Sequence, residues 1–367
     1  MKETNMKIFF YQAECGDASR ISYKGDDNQN HNIFIDSGYE RTFNHILSEE
    51  IEKLIANNEI IDIWLISHIH DDHIGGVIKY LTTIKRGEFS DIVKEWYYNP
   101  PRIYPSLKVV TEEKKISEVK SIGQGDQLYD YLNQIGKLKN FDIISGITLS
   151  TIFGLEFQVL SPSVGKINNL REKYRLPTVP FQKNESNEIS EAKRSKAFDY
   201  NIKLEDFNLD VWSEDTSVEN GSSISVLTIF KGKRILWLAD SHPSDIVKSL
   251  TAMGYSKKNK IKCDWVKVTH HGSKANNSNE LYDLIDCENY LMSVNGINKD
   301  YLPTKESMAR IIRNKNRLKG SFYKFYFTYD NKILRSIFTI DGNDIFKKWQ
   351  FEIHYLSEGK YYEFDLK

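Results

Sequence analysis

Three apolar stretches of this chain stop abruptly at side chains of the kind that bind metal ions. Residues 61–67 run into His68, His70, Asp72 and His73; residues 234–239 run into Asp240; residues 265–269 run into His270 and His271. A short, continuous apolar run bounded by polar residues reads as a strand buried on both faces. Taken singly, a strand-end aspartate or a pair of loop histidines is an ordinary turn feature. Three buried strands that all end in ligand-type residues are best explained together, by a layered α/β sheet structure whose strand ends converge on one rim.

The densest of the three stretches is WLISHIHDDHIGGV, Trp64 to Val77, which holds three of the chain's nine histidines. Side chains two apart on an extended chain share a face, so His68 and His70 point the same way. Asp72 and His73 follow at the turn. Gly75 and Gly76 are expected to let the backbone swing tightly into the next helix. Imidazole and carboxylate ligands suit zinc, and also manganese or iron. A merely His-rich polar loop is the alternative for this stretch alone.

Strand and helix patterns alternate elsewhere. MKIFFYQ and NIFIDSG read as strands, FNHILSEEIEKLIANN as an amphipathic helix, and DIVKEWYYN and GDQLYDYLNQIGKL as a strand and a helix. ITLSTIFGLEFQVLSPS reads as two strands about Gly154, and SSISVLTIFKGKRILWLADS as a hairpin turning at Lys-Gly. TKESMARIIRNKNRL is expected to be helical, FYKFYFTYDNKILRSIFTI extended, and 337–367 an extra C-terminal β-hairpin. Residues 164–218 turn charged and polar and read as an insertion into a single domain spanning 1–367, with 184–197 its most disorder-like part.

Composition bounds the function classes. Fifty Lys and Arg against 51 Asp and Glu give a formal net charge of −1, so no global polyelectrolyte character points to nucleic acid or an anionic membrane. Three scattered cysteines imply no disulfide framework. The N-terminus lacks a charged region followed by a long apolar run, and no window approaches the ~20 apolar residues of a spanning helix. The expectation is a cytoplasmic protein with no membrane partner.

The H-x-H-x-D-H after a strand, an Asp closing a second strand and a His closing a third resemble the metallo-β-lactamase fold superfamily. More narrowly, ECGDASRI, IDSG, GLEFQVLSP, NGSSISVLTIFKGKRILWLADS, VTHHGSK and MSVNGINKDYLPTKESMARII resemble the stand-alone relatives of the hydrolase domain of ComEC, the competence DNA-uptake protein. The resemblance covers roughly 7–335. It implies a four-layer αββα sandwich with two divalent metal ions, Zn²⁺ or Mn²⁺, at the edge between two sheets. It assigns His68 and His70 to one ion, Asp72, His73 and His271 to the other, and Asp240 as the bridge. Asp72 would also orient the nucleophile, a metal-bridging hydroxide, and His270 would hydrogen-bond substrate or leaving group. The chain departs from the pattern in having no histidine between His73 and His242, which leaves the first ion short of a third strong protein ligand.

The resemblance implies a phosphodiesterase acting on nucleic acid or nucleotides. The basic and aromatic run ARIIRNKNRLKGSFYKFYF suits single-stranded nucleic acid, or else is a solvated helix face followed by an ordinary strand. The aromatic EWYYNPP would suit a small-molecule esterase or lactonase, and a non-catalytic regulatory module is the third class. The 164–218 insertion leaves and returns near the metal rim, where it could roof the site or recruit a protein partner. Its ends are expected to pack on the domain and 184–197 to be mobile. Replacing 184–197 with a Gly-Ser linker is then expected to preserve metal binding and stability while changing the preference between large and small phosphodiesters. Unchanged rates on every substrate in a steady-state assay would favour the partner role instead.

Overall fold

The computed structural model describes residues 6–102, 112–176, 178–180 and 198–367, so 184–197 lies outside the described residues. The strands are β1 (Met6–Tyr11), β2 (Ala18–Lys24), β3 (Asn30–Asp36), β4 (Ile61–Leu65), β5 (Val93–Tyr97), β6 (Glu112–Lys114), β7 (Glu156–Ser161) and β8 (Thr178–Pro180). They continue with β9 (Ser225–Phe230), β10 (Lys233–Trp237), β11 (Ile261–Lys262), β12 (Trp265–Lys267), β13 (Ile285–Asp286), β14 (Asn289–Met292), β15 (Tyr323–Phe327), β16 (Phe351–Tyr355) and β17 (Tyr361–Leu366). One six-stranded sheet has the order β17-β1-β2-β3-β4-β5, and a seven-stranded sheet has the order β16-β15-β14-β12-β10-β9-β7.

Period-2 alternation along the strands builds three apolar layers. Phe9, Tyr11, Phe34 and Trp64 face the helices over 40–56, Asp71–Lys85 and Ile116–Gln134, meeting Leu47, Ile51, Tyr80 and Leu128. Their neighbours Ile8, Phe10, Ile35, Ile63 and Leu65 point the other way, against Val226, Ile235, Trp237 and Leu291 of the second sheet. The far side of that sheet buries Leu227, Leu236, Val266 and Phe325 against Ile246, Leu250, Met308 and Ile311 of the helices Pro243–Ala252 and Lys305–Ile312. Helix, sheet, sheet, helix is the four-layer αββα sandwich that the resemblance implies.

The topology positions the site. β3 and β4 pair in parallel, as do β10 and β12, so residues just after each strand emerge together on one rim. β9 and β10 form the expected hairpin, with Lys231 and Gly232 both at positive φ, as a two-residue primed turn requires.

Several expectations are corrected. The C-terminal 337–367 is no hairpin: β16 pairs in parallel with β15, whereas β17 pairs antiparallel with β1 in the other sheet. Alternation explains the split, because Phe351 joins the outer layer of the second sheet while Tyr362 and Phe364 pack into the layer between the sheets. Within NKILRSIFTI the chain is helical over Lys332–Arg335, because the Asn331 side chain accepts from the Ile333 and Leu334 amides and caps the turn. Of the two strands expected about Gly154 only β7 forms; the first half makes isolated bridges at Thr148 and Ile152. Among the described residues no helix is long and apolar enough to cross a membrane.

The described limbs of 164–218 pack on the domain. Ile167 and Leu170 of the helix Val164–Lys173 are buried, and Tyr200, Leu204 and Phe207 join the outer core of the second sheet. The basic run is what holds them. Arg310, with no exposed side-chain surface, donates to Leu209 O at 3.0 Å, Val211 O at 2.7 Å and Glu306 at 2.6 Å. Arg313 donates to Leu204 O and Phe207 O, and Arg317 to Trp349 O and Gln350 O. These three guanidiniums serve backbone carbonyls, so they act as a structural clamp and are not free for a nucleic acid. Arg310→Met removes the buried guanidinium that donates to Val211 O, to Leu209 O beside Asn279, and to the Glu306 carboxylate. It is expected to lower unfolding free energy by roughly 3–5 kcal/mol in urea titrations and to open 198–212 to limited proteolysis.

Candidate metal centre

The ligand-type residues sit where the strands leave the sheets. After β4 the chain passes Ser67 and His68, and a helix begins at Asp71 with His70 in extended geometry at its N-cap. Asp72 and His73 therefore lie in the first helical turn, where a carboxylate is favoured by the helix dipole. Gly75 and Gly76 do not form the turn expected of them; both are helical, and their bareness permits close approach. A Cβ on Gly76 would overlap Ser37 O, and Ser37 binds the helix through its amide to His73 O at 2.8 Å and its Oγ to the Val77 amide at 2.9 Å.

Backbone strain marks the same rim. Asp36, Ala239, His270 and His271 are non-glycine residues at φ 56, 45, 45 and 51°. Each such conformation costs about 1 kcal/mol or more for an L-residue. The His270 amide donates to Ala239 O at 2.8 Å, tying the exits of β10 and β12 together. Both strained turns thus face one another across the centre.

Asp72, His73, Asp240 and His271 come together, each offering one ligand atom with all four atoms within 4.8 Å of one another. His73 Nε2 lies 3.4 Å from Asp240 Oδ2, and His271 Nε2 lies 3.4 Å from Asp72 Oδ2 and 3.7 Å from Asp240 Oδ1. His68 Nε2 approaches Asp240 Oδ2 at 3.9 Å and His70 Nδ1 at 3.1 Å. His70 itself stands outside the four-residue group. His270 is part-exposed, with Nε2 3.6 Å from Asp240 Oδ2.

The donor set fits a divalent cation. His73 Nδ1 is held at 2.8 Å by the Asp36 carboxylate, and His271 Nδ1 donates to Ser293 O at 2.9 Å. Both rings consequently direct Nε2 lone pairs inward, and those two nitrogens together with Asp240 Oδ1 are buried without a hydrogen-bond partner. Buried polar atoms are normally paired, so a convergent unpaired set of lone pairs and carboxylate oxygens asks for a cation. Asp17, Asp36 and His73 form a second group of metal-ligand type. There the buried Lys267 ammonium ion-pairs with Asp17 and already supplies the positive charge.

Sequence reading missed the outer partners. Asp36 also accepts from the Ser67 amide at 2.7 Å and Ser67 Oγ at 2.8 Å, and Ser67 Oγ in turn meets His68 Nδ1 at 3.1 Å. Asp215, from the returning limb of the insertion, accepts from Asn220 Nδ2 at 2.6 Å and stands 3.7 Å from His270 Nδ1. Only the polar turn at IDSG hinted at Asp36, and nothing marked Asp215. His242, just after Asp240, is buried and contacts Lys166 at 2.6 Å.

Electrostatics follow from burial and crowding. Burial lowers the His68 and His70 pKa values, helped for His68 by the neighbouring His73. For His73 and His271 burial also pulls down, but the carboxylates around them, Asp240 foremost, outweigh it and raise both. Asp240 is driven down by its three histidine neighbours against the upward push of burial. A raised histidine holds its proton into the neutral range, so a cation must displace it. Cation uptake is therefore expected to release protons near neutral pH and to weaken on acidification. Calorimetry in buffers of different ionisation enthalpy measures this. The metal-free protein should lose stability as pH rises above the ordinary histidine value of about 6.5, because a raised folded-state pKa stabilises only while the proton is held.

Asp240→Ala removes the carboxylate that faces all of these nitrogens. It is expected to weaken cation binding by at least ~100-fold and to abolish hydrolysis, while circular dichroism shows the fold retained.

Residues 26–108 match the family described as Metallo-beta-lactamase superfamily. No curated protein matches the chain. Among solved structures the chain is similar to a protein of Parabacteroides distasonis ATCC 8503 provisionally named a metal-dependent hydrolase, at 13% identity and TM-score 0.37, covering 95% of this chain and 93% of that one. It is similar to Zn²⁺-bound PqqB from Methylobacterium extorquens at 10% identity and TM-score 0.39, covering 98% and 100%. It is also similar to a long form RNase Z from yeast at 10% identity and TM-score 0.31, covering 98% of this chain and 50% of that one. Likeness at this level says nothing about substrate.

Proposed function

We propose that the chain is a metal-dependent hydrolase that cleaves phosphodiesters, holding one cation with Asp72, His73 and His271, a second with His68 and His70, and both with Asp240. The observation that carries the hydrolase reading is the buried, unpaired convergence of His73 Nε2, His271 Nε2 and Asp240 Oδ1. Divalent cations there would lower the pKa of bound water and clamp the oxygens of a phosphoryl group.

The chain's own residues supply the rest. Asp36 and Ser293 fix the ligand imidazoles in one tautomer and one orientation. Asp72, with 21% of its side chain exposed, is the most exposed of the four and lines the cleft with Asp240 and His271, placed to orient a water and take its proton. The cleft over the centre is about 520 Å³, and Ser117, Lys120, Ser217, Asn220, Asn298 and Lys299 contribute to its lining. The carboxylates Glu14, Asp71, Glu118 and Asp300 share that lining, and Lys120 is paired with Asp71; so polar a cleft suits a metal-bound phosphodiester better than the apolar ring of a lactone. The aromatic stretch that would have favoured a lactone is elsewhere: Trp96 stacks on Trp64 in the core, and Tyr98 donates to Gly125 O. The narrower likeness to the ComEC hydrolase domain also points to phosphodiesters. Because the arginines of the basic run are committed to backbone carbonyls, a nucleotide-sized diester is favoured over a long nucleic acid.

The test reconstitutes the metal-free chain with Mn²⁺ or Zn²⁺ and compares bis-p-nitrophenyl phosphate, single-stranded DNA and a lactone. Metal-dependent turnover of the small diester, lost in Asp240→Ala, is the expected result. A lactone hydrolysed faster than either diester would overturn the substrate assignment.

A further inference from the structure

We infer that His270 is the ligand that completes the His68/His70 half of the centre, standing in for the histidine this chain lacks between His73 and His242. The inference rests on the two-cation reading above.

The first support is how two adjacent histidines divide one carboxylate. His271 Nε2 approaches Asp240 Oδ1 at 3.7 Å, whereas His270 Nε2 approaches Oδ2 at 3.6 Å. Oδ2 is also the oxygen that His68 Nε2 faces at 3.9 Å, with His73 Nε2 at 3.4 Å. Of the two adjacent histidines, His270 is thus the one that shares an oxygen with His68. Consecutive side chains can split this way only if the backbone turns sharply. It does so at φ 45° and ψ 56° for His270, and φ 51° and ψ 25° for His271.

The second support is the tautomer. His270 Nδ1 lies 2.7 Å from Asn276 Oδ1. The Asn276 amide cannot be reversed, because its Nδ2 donates to Asp215 Oδ2 at 3.1 Å, Asp240 O at 3.2 Å and Ser241 O at 3.4 Å, all acceptors. In the neutral ring the proton consequently sits on Nδ1, and Nε2 turns a bare lone pair toward a carboxylate oxygen. Two electron-rich atoms at that separation repel unless a cation lies between them. A neutral His270 that instead donated from Nε2 to substrate would set its Nδ1 lone pair against Asn276 Oδ1 at 2.7 Å, which is untenable.

The third support is the bracing. Asn220 Nδ2 and Asn276 Nδ2 both donate to Asp215 Oδ2, and the Asp215 amide is held by Ala275 O at 3.1 Å. An outer carboxylate and amide that fix ring orientation are the usual surroundings of a ligating histidine. Asp215 thus acts as a positioning residue through Asn276.

The experiment titrates metal-free protein with Co²⁺, following visible absorption, and with Zn²⁺ in competition against a chromophoric chelator. Wild type is expected to bind two cations per chain. His270→Asn keeps a residue that accepts the left-handed backbone but withdraws Nε2. It should keep the Asp72/His73/His271 cation with an affinity within about threefold and weaken the other by at least ~100-fold, with the matching Co²⁺ bands lost. Asp215→Asn should weaken only that second cation, by roughly 10–100-fold. His270→Gln serves as a second variant, and unchanged melting of the metal-free forms confirms folding. Either folded His270 variant binding two cations with wild-type affinities would overturn the assignment while leaving the two-cation reading intact. A wild-type chain that binds fewer than two cations removes that reading, and this inference with it.

Discussion

One buried carboxylate ties the centre to the fold. Asp36, at the exit of β3, accepts the Ser67 amide on Oδ1 and both the Ser67 hydroxyl and His73 Nδ1 on Oδ2. It thereby locks the end of β4 to the first turn of the next helix, and through Ser67 Oγ it reaches His68. Burial pushes the Asp36 carboxyl up, against the pull of His73. A charge this deep is tolerated because every oxygen is engaged, and removing one partner would leave an uncompensated group.

From that anchor the ligand geometry propagates outward. His73 is fixed, so Asp240 has a defined neighbour; Asp240 is fixed by the β10 exit, so the β12 turn must bring His270 and His271 to its two oxygens. The strain at Ala239, His270 and His271 is the visible cost of that convergence. Three layers of apolar packing hold it in place, since the sheets bury side chains on both faces.

How far the sequence reveals this depends on range. His68, His70, Asp72, His73, Asp240 and the 270–271 pair were legible because each follows an apolar run, and a buried strand announces itself locally. The sandwich was legible for the same reason. Asp36 was visible only as a polar turn, and Asp215 not at all, because a positioning carboxylate is defined by what lies opposite it in space. The basic run was open to two readings: Arg310, Arg313 and Arg317 suit a polyanion surface until the carbonyls of 204–211 and 349–350 are seen against them. The C-terminus misled, since two alternating runs joined by SEGK have the look of a hairpin and nothing local says that they serve different sheets.

That last arrangement has a consequence for synthesis. β17 seals the outer edge of β1, pairing Met6 with Leu366 and Tyr11 with Tyr361, so the first described strand is completed by the last described one. Every candidate ligand lies between residues 68 and 271 and leaves the ribosome well before that closure. At ~5–20 residues per second, β1 presents an open hydrogen-bonding edge for tens of seconds. During that interval the candidate ligands are already made while the edge of the sheet beneath them still lacks its last strand.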